Sequence, residues 1–185
     1  RLFLDQSHPC LWHVEELRLL FPKARFLAMV RCPFSVTYSA LRHPGVKSHL
    51  VNFKNFQMPN EFLGITAQNS FEYESYSLAQ RSALRWCSHM YQIDKFARLY
   101  RDSVMVVNYE KLCSFPVEVL ESVAKFLNLK TPVPTPVVNV ASLVKKQGLA
   151  ANDKSDIAAQ VLTYFADRPL LDQSYIPYSE YLGQT

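Results

Sequence analysis

The sequence predicts an α/β fold with a parallel sheet, because short apolar runs of strand length alternate with longer helical patterns. The runs RFLAMVR at 25–31 and VMVV at 104–107 are almost entirely apolar between charged or polar flanks, as buried parallel strands are. Residues 77–100 between them carry apolar side chains at steps of four and three, which is typical of a helix with one buried stripe.

Weaker patterns predict the remaining elements. Pro33 stands where the first residue of a helix belongs, and Ser114 is predicted to be the N-cap of a helix with Pro116 in its first turn. The further predictions are a strand end at 1–5, helices at 10–21, 34–42, 116–127 and 155–166, and an extended connector at 131–136.

Residues 43–76 are expected to form a lid-like insertion. The segment is polar and aromatic, contains prolines and glycines, and shows no sustained period. Long irregular segments inside compact domains usually serve as lids or binding loops, although a surface insertion without function is the alternative. Its aromatic side chains either stack on a ligand or pack; they are Phe53, Phe56, Phe62, Phe71 and Tyr73.

Composition bounds the function. The chain has 185 residues, of which 49% are hydrophobic, and this predicts a packed globule rather than a disordered chain. The net charge of +4 is too small and too scattered for a nucleic-acid-binding protein, but it fits a local basic pocket for an anionic ligand. No apolar run is long enough to span a bilayer. Because Arg1 is not a natural start, an upstream leader or membrane anchor stays open.

The four cysteines, Cys10, Cys32, Cys87 and Cys113, form no CxxC pair and fit neither a zinc site nor a disulfide scaffold. They are predicted to be buried or half-buried thiols. The sequence also contains no Asn-x-Ser/Thr sequon. These features slightly favour a cytoplasmic location over the Golgi lumen.

One stretch, MVRCPFSVTYSAL at 29–41, carries the residues of a phosphate site. Arg31 follows a strand and a helix begins directly after it, so an anion at this point meets free N–H groups, the positive end of a helix dipole and a fork of donors. Ser35 and Ser39 lie one turn apart on one helix face. The alternative is an arginine that closes a salt bridge at the end of the strand.

The segment FPKARFLAMVRCPFSVTYSALRH resembles the part of PAPS-dependent sulfotransferases that binds the 3′-phosphate of the cofactor. The resemblance implies that Arg31 and Ser39 hold this phosphate. Cys32 departs from the family, in which Asp is common at that position. The stretch from ALRWCSHM to AKFLNL is similar to the later core of the family, including Tyr109 and Glu110 after the second strand. Those two residues are predicted to be structural, and Trp86 to belong to the core.

The resemblance covers about residues 1–130. It implies a P-loop-like three-layer fold, in which a central parallel sheet is flanked by helices, within a single domain over 1–185. It also implies PAPS as the co-substrate and PAP as the product, with no metal. The Gly/Ser/Thr-rich loop that binds the phosphosulfate in this family is missing from the sequence and is expected upstream of residue 1.

Two further assignments rest on weaker resemblances. Lys145 and Lys146 before Gly148 loosely resemble the basic loop that closes over the 3′-phosphate, and a solvated basic turn is an equally good explanation. Gln6-Ser7-His8 occupies the place of a Lys-Thr-His motif in cytosolic relatives, which makes His8 the candidate general base. The alternative is a surface or structural histidine at this position, with the base upstream of residue 1. The other histidines have weaker claims; they are His13, His43, His49 and His89.

The leading hypothesis is an enzyme that moves a sulfuryl group from PAPS to a hydroxyl or amine of an acceptor, either a small molecule or a glycan. The alternatives are a catalytically inactive nucleotide-binding module of the same fold and a relative of P-loop kinases. The sequence does not identify the acceptor.

Overall fold

A computed structural model of the chain describes residues 4–6, 8–130, 143 and 147–170. Two strands, β1 (Phe26–Val30) and β2 (Val104–Asn108), pair in parallel from Phe26 opposite Val104 to Val30 opposite Asn108. The helices flanking them are α1 (Val14–Leu20), α2 (Pro33–Arg42), α3 (Pro44–Val51), α4 (Leu78–Leu99), α5 (Tyr109–Ser114), α6 (Pro116–Leu127) and α7 (Ala151–Asp167). The predicted α/β class, with a parallel sheet flanked by helices, is confirmed.

The two faces of β1 differ in burial. Val30 is buried, whereas Leu27 and Met29 are 41% and 51% exposed. Successive side chains of a strand point to opposite faces, so the described helices cover only one face here. The prediction of a fully buried strand is therefore wrong for the other face, and the third layer stays a prediction.

Helix α4 lies at the centre of the packing. Ser77 and Gln80 form a capping box at its start, in which each side chain satisfies a backbone N–H of the other. Its buried residues, Ala83, Trp86 and Cys87 among them, share one hydrophobic cluster with Ile157 and Val161 of α7. The predicted helix at 77–100 is confirmed, since its stripe of apolar residues matches this cluster.

Residues 43–76 form α3 and three short 3₁₀ turns, at Phe53–Asn55, Glu61–Leu63 and Tyr73–Ser75. They enclose a core of their own that includes Leu50, Ile65 and Tyr73, each fully buried, and they pack on Leu84 of α4. Short turns that converge on one centre give no periodicity, which is why the sequence pattern is irregular. Movement of this segment as a lid stays a prediction.

Several predicted boundaries are wrong. The predicted helix at 10–21 divides into a 3₁₀ turn at His8–His13 and α1. Ser114 is not an N-cap but the last residue of α5, and Phe115 precedes α6 without a side-chain cap. Helix α7 begins four residues before the predicted 155.

The predicted strand end at 1–5 has no counterpart at residues 4–5, which lack regular secondary structure, and 1–3 lie outside the described residues. The connector at 131–136 lies outside them as well.

No disulfide joins the described cysteines; three of them are buried and Cys10 is half-buried, as predicted. In the described part of the chain, no helix combines the length and the apolarity that crossing a membrane requires.

Candidate functional site

The candidate site lies at the carboxyl ends of the two strands, where parallel α/β sheets bind ligands. Val30 and Asn108 are partners in the ladder, so the residues that follow them, Arg31 and Tyr109, come together. The guanidinium carbon of Arg31 lies 4.6 Å from the centroid of the Tyr109 ring. This cation–π contact holds the planar fork of Arg31 at the edge of the sheet.

The backbone of Arg31 is fixed from the side of α4. The indole Nε1–H of Trp86 donates a 2.8 Å hydrogen bond to the Arg31 carbonyl oxygen. Trp86 is buried in the main hydrophobic cluster, which agrees with its prediction as a core residue. Arg31 is therefore positioned by an aromatic ring from one element and an indole donor from another.

The first turn of α2 retains open backbone donors. The N–H of Cys32 donates to Oε1 of Glu110 at 3.0 Å, and Pro33 has no N–H. The N–H groups of Phe34 and Ser35 donate to no acceptor among the described residues. Both residues are buried, and a bound acceptor at this helix start would satisfy the donors that the described residues leave open. A phosphate oxygen fits this requirement, because a helix N-terminus favours anions.

Glu110 shows how the two strand ends are joined. Its carboxylate accepts from the start of α2 although it belongs to α5, the short helix after β2. The structural role predicted for Tyr109 and Glu110 therefore extends across the sheet edge. The sequence could have predicted that Glu110 lies near Cys32, since residues that follow neighbouring parallel strands meet at the same edge of the sheet.

Ser39 lies on α2 one turn after Ser35 and is partly exposed. The neighbouring Tyr38 contacts the 147–149 turn: a Cβ added to Gly148 would lie 2.5 Å from Cε2 of Tyr38. The structure thus brings Gly148 against the helix that carries Ser39. Lys145 and Lys146 lie outside the described residues, so their assignment to this site stays a prediction.

Comparison with known proteins settles the family. The sequence model of the sulfotransferase family matches residues 1–132 of the 185. The chain belongs to the sulfotransferase family. Searches of curated proteins and of solved structures each gave no significant match to it.

The family match bears on the reaction class and not on single residues. It covers the strand ends and helices that carry Arg31, Ser39 and Glu110, and it ends before Gly148. Membership of this family supports sulfuryl transfer as the general reaction.

The candidate base of this sulfotransferase, His8, begins the 3₁₀ turn His8–His13. The structure does not describe the side chain of His8, so its distance from Arg31 stays open. The same turn contacts α4 through Trp12, whose ring centroid lies 5.3 Å from that of His89. The assignment of His8 as base stays a prediction.

A groove of about 320 Å³ lies elsewhere on this sulfotransferase, between Glu15, Arg18, Leu19, Pro22 and Tyr100. Arg18 bonds to Ser103, the residue before β2, which places the groove at the amino end of the sheet. It is therefore separate from the candidate nucleotide site.

Proposed function

We propose that this sulfotransferase uses PAPS as donor and transfers its sulfuryl group to a hydroxyl or amine of a small-molecule or glycan acceptor. The observation that carries the proposal is the sheet edge at Arg31. There, a positioned guanidinium adjoins a buried helix start whose N–H groups at Phe34 and Ser35 have no acceptor among the described residues. This combination suits a phosphate dianion.

In this proposal Arg31 and Ser39 hold the 3′-phosphate, and Lys145, Lys146 and Gly148 close over it. Bound PAPS supplies an activated sulfuryl group, and its transfer to the acceptor oxygen or nitrogen leaves PAP. His8 accepts the proton that the acceptor loses during attack. Recognition of the 3′-phosphate would also discriminate PAPS from ATP, which lacks that group.

The first test is a calorimetric titration of the chain with PAP, with 5′-AMP as the ligand that lacks the 3′-phosphate. We expect PAP to bind and 5′-AMP to bind much more weakly. Arg31→Ala should weaken PAP binding about 10- to 150-fold, because a charged hydrogen-bond donor contributes about 1.5–3 kcal/mol. Ser39→Ala should have a smaller effect in the same direction.

Arg25→Ala is the matched control, because Arg25 precedes the other end of the same strand and bonds to the Asp102 and Phe126 carbonyls. It should retain PAP affinity while losing the same charge. A folded chain that ignores PAP, or that binds PAP and 5′-AMP equally, would contradict the assignment of the 3′-phosphate site. PAP binding by a full enzyme that transfers no sulfuryl group would instead support the inactive nucleotide-binding module.

A further inference from the structure

A second cluster of side chains surrounds the middle of α4. It comprises Trp12, Phe62, Arg85 and His89, and is called the Arg85 cluster below. The guanidinium carbon of Arg85 lies 4.7 Å from the centroid of the Phe62 ring, and the His89 ring lies 5.4 Å from the same centroid. The Trp12 ring stands edge-on to His89. The Nδ1–H of His89 donates to the Arg85 carbonyl at 2.7 Å, which fixes the imidazole in place.

Arg85 carries a charge that nothing in the described part of the chain neutralises. Its side chain is partly buried, and desolvation lowers its pKa. Among residues 4–6, 8–130, 143 and 147–170, no carboxylate forms an ion pair with it. The nearby hydroxyl of Tyr73 supplies no negative charge at neutral pH, because burial raises the pKa of Tyr73. A partly desolvated guanidinium without a counter-charge favours the binding of an anion.

Trp12 adds a second donor to the cluster. Its indole Nε1 is buried and has no hydrogen-bond partner among the described residues. The other tryptophan, Trp86, bonds to Arg31 through its indole. Indole and guanidinium groups can only donate, and neither Trp12 nor Arg85 has a hydrogen-bond acceptor among these residues.

Arg81, one turn before Arg85 on the same helix, shows how this fold uses an arginine structurally. Its guanidinium donates to the backbone carbonyls of Leu50, Tyr73 and Glu74 at 2.8–3.2 Å. Those three bonds fasten the 43–76 segment to α4. Arg85 makes no such bonds to the described residues, so it does not hold the 43–76 segment on α4 in the way that Arg81 does.

We infer that the Arg85 cluster binds a carboxylate on the acceptor of this sulfotransferase. The two oxygens of a carboxylate match the fork of donors that Arg85 presents. Arg85 directly precedes Trp86, whose indole holds the backbone of Arg31, so one turn of α4 carries both groups. The acceptor class is a hydroxylated carboxylic acid, including acidic sugar units. Identifying the ligand as the acceptor rests on the proposed function.

The test uses the two indole signals in the ¹H–¹⁵N NMR spectrum of the labelled chain, assigned with Trp12→Phe. Sodium D-glucuronate is the probe, and D-glucose is its uncharged counterpart. We expect glucuronate to shift the Trp12 indole signal and glucose to leave it unchanged. Arg85→Met should weaken this response at least about tenfold, because it removes the charged fork. Arg101→Met, which removes an exposed arginine of the same charge, should not change it.

Thermal unfolding separates binding from a structural role. We expect Arg85→Met to match or exceed the wild-type Tm, because it removes a desolvated charge, and Arg81→Met to lower the Tm by several degrees. A Tm loss in Arg85→Met as large as that in Arg81→Met overturns the inference. So does a Trp12 signal that ignores glucuronate or responds equally to glucose.

The nucleotide titration keeps the two proposals distinct. Arg85→Met should bind PAP as the wild type does, because Arg85 is not part of the 3′-phosphate site. If PAP binds and glucuronate does not, only this inference fails. If glucuronate binds through Arg85 and PAP does not bind at all, the carboxylate site stands and its role as an acceptor site in PAPS-dependent transfer is refuted.

Discussion

At the scale of single residues, Tyr73 illustrates how burial alters ionisation. Its ring is fully buried against Phe53, and its hydroxyl donates to the Leu63 carbonyl at 3.4 Å. Burial raises the pKa of Tyr73, and the nearby charges of Arg81 and Arg85 oppose that rise only in part. The folded protein therefore keeps this hydroxyl protonated at pH values where an unfolded tyrosine, with a pKa of about 10, ionises.

This difference predicts an alkaline loss of stability. A raised pKa in the folded state stabilises the fold fully below pH 10, and that stability decreases as the pH rises further. Between pH 10 and 11 the wild type should lose about 1 kcal/mol more than Tyr73→Phe, which has no group to ionise there. Urea unfolding at pH 8, 10 and 11 measures the difference. If the free energy of unfolding fell equally with pH in the two proteins, the contribution of Tyr73 would be refuted.

Arg31 and Arg85 show why residue type alone does not identify a site. Both are arginines stacked on an aromatic ring, at 4.6 Å on Tyr109 and 4.7 Å on Phe62. The sequence marks Arg31, because it directly follows a strand and precedes a helix. Nothing local marks Arg85, which lies in the middle of a long helix.

At the scale of elements, the 43–76 segment depends on a close approach between two backbones. Gly64 has a φ of +75°, and a Cβ added to it would lie 2.4 Å from the carbonyl oxygen of Leu84 in α4. Only glycine fits, because any side chain meets both an unfavourable left-handed backbone and a rigid helix. Gly64→Ala should destabilise the protein by about 2–4 kcal/mol, measured by urea unfolding.

Gly45 provides the matched comparison, because it lies in the first turn of α3. A Cβ there would come 3.3 Å from the His43 side chain and would meet no backbone within 4 Å. Gly45→Ala should change the stability by less than about 1 kcal/mol, since alanine favours the helix. Equal effects of the two substitutions would contradict the argument from close packing at Gly64.

At the scale of the whole molecule, α4 joins the core clusters. One face packs on α2 and α7, and Leu84 packs into the core of the 43–76 segment. Cys87 lies at the middle of this helix with no exposed surface, and burial raises the pKa of its thiol well above the usual value. Exposing Cys87 therefore requires the separation of several elements at once.

Thiol labelling at neutral pH tests this cooperativity. We expect iodoacetamide to modify the half-buried Cys10 in the native protein and to leave Cys87 unmodified until denaturant unfolds the chain. Peptide mapping by mass spectrometry identifies the labelled residues. If Cys87 were labelled as fast as Cys10 in native buffer, α4 would not be the rigid centre described here.

The sequence by itself determined the features that depend on local order. These features are the strand before Arg31, the helix that begins at Pro33 and the long apolar stripe of α4. Each follows from apolar periodicity or from a residue that starts a helix, and both signals depend only on residues close together in the sequence. The predictions from sequence were wrong at element boundaries such as Ser114. Two helices adjoin there, and a serine that suits the N-cap of the second helix also suits the last position of the first helix.

The tertiary structure alone decided the features that depend on distant neighbours. The exposed face of β1, the bond between Glu110 and Cys32, and the donors of Arg85 and Trp12 without acceptors in the described part of the chain are examples. Whether a polar group is satisfied depends on which segments arrive beside it, often 50 or more positions away in the sequence, as for Trp86 and Arg31. Periodicity carries no information about such meetings, because it records which face of an element is buried and not what lies against that face.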